Sequence, residues 1–154
     1  MNFEYFILRL IRKFIASRLV KFQLPKQVTL RPGMETRSPA EAADRYEKFL
    51  EKTNKRIKGL SVLIFGYGGY LGTSIELLER GATQVHLYDK YAKMNRQKNK
   101  PLVNHYSKYL TETRNKVIPN KAFVRVIDSD IKKFATENPD IKFDLVLSAA
   151  VLEH

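Results

Sequence analysis

The chain has 154 residues, of which 28 are Lys or Arg and 16 are Asp or Glu, so its formal net charge is +12. Because cysteine is absent, a disulfide framework, a thiolate metal site and a cysteine nucleophile are all excluded. An apolar content of 44% at this length predicts one globular domain with a real core. No uncharged apolar run is long enough to form a membrane-spanning helix.

The N-terminal segment, residues 1–24, carries apolar residues at helical spacing with basic residues between them. The pattern predicts a cationic amphipathic helix. Two interpretations stay open: a helix docked on the domain or on another chain, and a helix lying on an anionic membrane surface. Residues 25–37 contain two prolines and a glycine and are predicted to be a linker.

Strands and helices alternate from residue 38 onwards. Ser38 as a cap and Pro39 at the first helical position predict the start of a helix that runs to about Arg56. Its buried side is predicted to include Tyr46, Phe49 and Leu50. This alternation predicts an α/β fold with a parallel sheet. The expected strands are 61–65, 84–88, 122–127 and 143–148, and the further helices are 71–80, 91–116 (broken near residue 101) and 130–136.

The strongest signal is the turn Gly66-Tyr67-Gly68-Gly69 between a buried strand and a helix. Glycines there let the backbone bend sharply and approach a ligand, and the helix N-terminus offers N–H groups. Asp89 ends the next strand, where its carboxylate can accept both ribose hydroxyls of an adenosine ligand. The spacing suits both NAD-type and S-adenosylmethionine-type sites. Leu71 stands in the place of the last glycine of the dinucleotide fingerprint, which weakens the pyrophosphate interpretation.

The C-terminal stretch 142–154, KFDLVLSAAVLEH, adds a second motif. With residues 62–89 and the loop Asp128-Ser129-Asp130, it resembles the ordered motifs of class I S-adenosylmethionine-dependent methyltransferases. The resemblance implies a Rossmann-like parallel sheet flanked by helices, preceded by the N-terminal helical extension. It also implies a cytoplasmic enzyme that methylates an unidentified acceptor. Because the family's sheet continues past its fourth strand, we expect residues 38–154 to be a partial, truncated domain.

The same resemblance implies which residues hold S-adenosylmethionine. Gly66, Gly68 and Gly69, with Tyr67 between them, would pass beneath its amino-acid part, and Asp89 would hold the ribose hydroxyls.

On the adenine side, the resemblance assigns Asp130, or in its place Asp128, to the adenine amino group, with Ile131 beside the ring. The alternative for both acids is a helix cap before Ile131. Ser148 and Ala149 would lie near the reacting methyl group.

His154 is the candidate catalytic base, since a side chain with a near-neutral pKa can remove a proton from an acceptor hydroxyl; the alternative is a solvated residue. The histidines show no metal-binding spacing, and we expect no metal. Two positions depart from the family's pattern: Ile64 stands where many members carry an acid, and Lys90 replaces an acid next to Asp89.

Two other classes of function stay open. One is the NAD(P)-binding half of an oxidoreductase, which would not need the 142–154 motif. The other is a non-catalytic module that binds a membrane or RNA through residues 1–24 and through residues 90–116, which hold eight basic residues and one acid. No motif of a known nucleic-acid module is present, and peripheral membrane contact through residues 1–24 is compatible with either activity.

Overall fold

The computed structural model describes residues 38–148. The predicted helix 1–24, the linker 25–37, Ala149 and His154 lie outside these residues. In chain order the elements are α1 (Pro39–Glu51), β1 (Ser61–Phe65), α2 (Gly72–Glu79), β2 (Gln84–Tyr88), α3 (Arg96–His105), β3 (Leu110–Glu112), β4 (Val117–Pro119), β5 (Val124–Ile127), α4 (Ile131–Glu137) and β6 (Leu145–Ser148).

Four strands form one sheet in the order β5-β2-β1-β6, and each neighbouring pair is parallel. This confirms the predicted α/β fold with a parallel sheet flanked by helices. The last residues of the four strands lie in register: Phe65 pairs with Tyr88 and Ser148, and Tyr88 pairs with Ile127. The loops that follow these strands therefore leave the sheet at one edge.

Alternating side chains give the sheet two apolar faces. Val62, Ile64, Val85, Leu87 and Val124 belong to the larger core, which also holds buried residues of α1 and α2. On the opposite face a smaller core forms around Leu63, Tyr88 and Ile127, with four partly buried side chains packed against it: Phe65, Ile131, Phe134 and Phe143. Among residues 38–148, no helix is long and apolar enough to cross a membrane.

The prediction for α1 was wrong in three details. Phe49 is 67% exposed, whereas Leu50 is buried as predicted and shares the buried stripe with Ala42 and Ala43. Ser38 occupies the cap position, but its side chain makes no capping hydrogen bond. The helix ends before residue 56 because Asn54 adopts a left-handed conformation, φ 55°, and the following N–H returns to the carbonyl of Leu50.

The predicted helix over 91–116 was also wrong. The helical part is α3 alone, with Pro101 inside it, and a short antiparallel hairpin of β3 and β4 follows. Pro101 does not end the helix because residues on both sides of it, Asn99 and Leu102, are held against the rest of the domain. Strands of three residues are too short to show the alternation that identifies a strand in sequence.

Candidate functional site

The candidate site lies at the edge of the sheet where the parallel strands end. Gly66, Asp89 and Asp128 are the first residues after β1, β2 and β5, and Ser148 ends β6 beside them. The register of the strands therefore brings together residues that are far apart in the chain. Ligands of open α/β sheets bind at this edge.

The glycine turn has a conformation that only glycine adopts easily. Gly66, Gly68 and Gly69 have φ angles of 87°, 64° and 76°. Gly69 has a second constraint, since an added Cβ would lie 2.3 Å from the carbonyl oxygen of Lys93. This glycine is therefore required by the chain that crosses it, whether or not a ligand is bound.

The carboxylate of Asp89 organises the two loops beside it. Its Oδ2 accepts a hydrogen bond from the Gly68 N–H at 3.0 Å. Its Oδ1 accepts from the N–H groups of Tyr91 at 2.9 Å and Ala92 at 2.8 Å. A carboxylate offers about four acceptor positions, so three are in use and there is capacity for one further donor. Asp89 is half-buried, which leaves it accessible to a ligand.

Asn99 on α3 holds the glycine turn in place through hydrogen bonds, a role that was not predicted from the sequence. Its side chain is fully buried. The Oδ1 accepts from the Leu71 N–H at 2.8 Å, and the Nδ2 donates to the carbonyls of Gly69 and Asn95, each at 2.8 Å. The usable signal was its position, because Asn99 shares one helical stripe with Leu102, which packs against the core.

Tyr67 occupies the centre of the glycine turn and is 8% exposed. Burial raises its pKa to about 12, and the carboxylates of Asp89 and Asp128 add to the shift. The phenol is therefore protonated at neutral pH and can donate a hydrogen bond but cannot serve as a base. Tyr67 lines a small recess together with Ile64, Gly66, Tyr70 and Thr73.

The acids after β5 have different surroundings. Asp130 caps α4, because its Oδ1 accepts from the N–H groups of Lys132 at 2.9 Å and Lys133 at 3.4 Å. Asp128 is the acid whose charge acts on Tyr67. The structure thus brings Asp128 to the glycine turn and gives Asp130 the capping role that the sequence left open as an alternative.

The remaining predicted ligand contacts stay predictions. Ile131 packs against the smaller core, and Ser148 is exposed at the end of β6. Among residues 38–148, no group of three or more His, Asp or Glu side chains is arranged to hold a metal ion.

His86 lies away from this edge, inside the smaller core. It is 2% exposed, and neither ring nitrogen has a hydrogen-bond partner. Its neighbours are the rings of Phe134 and Phe143, with centroids at 6.4 Å and 4.9 Å.

A search with the sequence found no matching protein family and no matching curated protein. The geometry of the site therefore carries the functional argument.

Proposed function

We propose that the chain is a class I S-adenosylmethionine-dependent methyltransferase domain with a Rossmann-like sheet. The support from the fold is the parallel order β5-β2-β1-β6, with the glycine turn and Asp89 at adjacent strand ends in its middle. A nucleoside bound there would meet the glycine backbone on one side and the strand-end acid on the other.

The observation that carries the proposal is the sign of the charge at the glycine turn. Asp89 and Asp128 directly follow β2 and β5, and both carboxylates raise the pKa of Tyr67, so two acidic groups lie near the turn although the chain as a whole is strongly basic. A negative field favours the cationic sulfonium of S-adenosylmethionine and disfavours the pyrophosphate of a nicotinamide dinucleotide.

The start of α2 supports the same choice. A phosphate bound at a helix N-terminus needs free N–H groups. Leu71 is the N-cap of α2, and its N–H is already accepted by the buried Oδ1 of Asn99. This one N–H at the helix start is therefore not available to a phosphate.

Bound S-adenosylmethionine would supply a methyl group that is already activated by its sulfonium. The protein's part is alignment, which needs few reactive side chains. The glycine turn would support the amino-acid part, and Asp89 would accept one ribose hydroxyl with its remaining lone pair. Tyr67 would act as a donor only. His154 stays the candidate base for an acceptor that must lose a proton.

The proposal is tested by isothermal titration of the full chain with S-adenosylmethionine, S-adenosylhomocysteine and NADH. We expect binding of the first two and none of NADH. Asp128→Asn should lower the affinity for S-adenosylmethionine by about two- to fivefold more than the affinity for S-adenosylhomocysteine, because only the former carries a sulfonium charge.

Asp140→Asn is the matched control, since Asp140 is exposed and precedes β6 at the opposite edge of the sheet. It should leave both affinities unchanged. Binding of NADH alone would overturn the proposal. An equal effect of Asp128→Asn on the two adenosyl ligands would overturn the electrostatic argument.

A further inference from the structure

The positive charge of the described residues is concentrated in one stretch of chain. Residues 90–125 hold ten basic residues and one acid, a net charge of +9. The other described residues, 38–89 and 126–148, hold ten basic and twelve acidic residues, a net charge of −2. All ten basic residues of 90–125 are exposed. We call the five that lie nearest Tyr91 in the chain the basic surface: Lys90, Lys93, Arg96, Lys98 and Lys100.

The single acid in this stretch is shared by two cations and neutralises little of the charge. Glu112 on β3 accepts from Arg96 at 2.8 Å and lies 3.6 Å from the Lys100 ammonium. Arg96 and Lys100 are one helical turn apart on α3. These contacts place Arg96 and Lys100 on the same side of α3, beside the hairpin.

An exposed aromatic ring lies at one end of the basic surface. Tyr91 is 79% exposed, and the Lys90 ammonium is 5.4 Å from its ring centroid. Lys93 follows two residues later and is also exposed. The core does not use this ring, so the ring is available to a partner.

We propose that the basic surface and Tyr91 bind single-stranded nucleic acid, with phosphates on the Lys and Arg side chains and a base stacked on the Tyr91 ring. Positive charge along a backbone track combined with an exposed aromatic ring is the recognition mode of single strands. An amphipathic membrane contact would need a broad apolar face. Across residues 90–125, the large exposed apolar side chains are Tyr91 and Ile118.

The proposed surface is attached to the candidate site but does not depend on its function. The Tyr91 N–H donates to Asp89, and the Asn95 N–H donates to the carbonyl of Gly69 at 2.9 Å. A nucleic-acid strand stacked on Tyr91 would therefore lie beside the glycine turn. Nucleic-acid binding can be measured without any methyl donor, so its failure and the failure of the methyltransferase proposal are separate results.

The test is fluorescence anisotropy of a labelled oligouridine of about 12 nucleotides with the full chain at several KCl concentrations. We expect binding that weakens with salt, with a logarithmic slope of about −0.7 for each phosphate neutralised. The double variant Lys90→Gln/Lys93→Gln should reduce the magnitude of that slope by about 1.4. Tyr91→Ala should weaken binding at least about fivefold with an unchanged slope, and Tyr91→Phe should retain it.

Two charge-matched variants serve as controls, and thermal melts verify that every variant is folded. Lys48→Gln/Lys55→Gln removes two exposed charges from α1 and the turn after it. Arg12→Gln/Lys13→Gln removes two charges from the basic N-terminal segment. Neither control should change the affinity by as much as the Lys90/Lys93 variant.

Three outcomes would overturn the proposal. The first is an equal loss in the control variants, which would indicate a net-charge effect only. The second is full affinity in both Tyr91→Ala and the Lys90/Lys93 variant. The third is binding to vesicles of phosphatidylcholine and phosphatidylserine without binding to the oligouridine, which would assign the basic surface to a membrane.

Discussion

The buried side-chain amide of Asn99 donates a hydrogen bond to the carbonyl oxygen of Gly69, 2.8 Å away. The same amide accepts from the Leu71 N–H, so one side chain of α3 holds both ends of the segment that leads into α2. The glycine turn therefore owes its shape to a helix that begins about 30 residues later in the chain.

Replacement of Asn99 by Ala should destabilise the protein strongly. The change leaves the buried Leu71 N–H without an acceptor, and an unsatisfied buried group costs about 1–3 kcal/mol. We expect a loss of about 2–4 kcal/mol in the free energy of unfolding by urea, including the lost packing. Asn104→Ala on the exposed side of α3 is the control and should change the free energy by less than about 0.5 kcal/mol. If Asn99→Ala also lowers the free energy of unfolding by less than about 0.5 kcal/mol, the amide does not hold the turn.

Substitution at Gly69 separates the cost of backbone conformation from the cost of a steric clash. Gly69 and Gly59 have similar φ angles, 76° and 86°, but a Cβ at Gly59 meets nothing within 4 Å, whereas one at Gly69 meets the Lys93 carbonyl oxygen. Gly59→Ala should cost about 1–2 kcal/mol, the strain of a left-handed residue. Gly69→Ala should cost at least about 2 kcal/mol more in urea unfolding, since the crossing chain must move. Equal costs would show that the chain from Lys93 to Asn95 moves freely.

Asp89 is expected to affect stability as well as ligand binding. Asp89→Ala removes the acceptor for three N–H groups and should lower the free energy of unfolding by about 1–3 kcal/mol even without a ligand. Asp89→Asn keeps one acceptor oxygen and should cost less. Thermal melts of the two variants without ligand measure this order. If Asp89→Ala melts like the wild type and only loses ligand affinity, the carboxylate has no role in holding the loops.

His86 should make the stability depend on pH. Burial lowers the pKa of His86, and the charge of Arg125 lowers it further. The unfolded chain therefore binds a proton, at a pKa of about 6.5, that the folded chain does not bind. The free energy of unfolding therefore keeps the full contribution of neutral His86 above that pH. It falls as the pH drops below it, by up to about 1.4 kcal/mol for each pH unit.

This pH dependence is measured by urea unfolding between about pH 5 and 8. His86→Leu should flatten the decrease below the unfolded pKa, because it removes the group that binds the proton on unfolding. His105→Gln replaces an exposed histidine and should leave the decrease unchanged. An unchanged curve for His86→Leu would assign the acid sensitivity to other groups.

The parallel sheet was predictable from local pattern. Ser61–Phe65 and Gln84–Tyr88 have the predicted bounds, because each is a short run rich in strand-forming residues that ends at a glycine or an acid. Their place in the middle of the sheet also agrees with a continuous buried strand. Predictions were wrong for two different reasons. Phe49 fits a helical stripe, but packing against the domain leaves it exposed, and β3 and β4 are too short to show a period.

At the candidate site, the sequence by itself determined the glycine turn and the strand-end position of Asp89, because turn chemistry and strand length are local properties. Only the tertiary structure decided that Asp128 acts on Tyr67, that Asn99 holds the turn, and that Gly69 is crossed by another part of the chain. The physical reason is that these contacts join residues separated by tens of positions. Strand register and helix docking bring such residues together, and neither is set by the residues near any one of them.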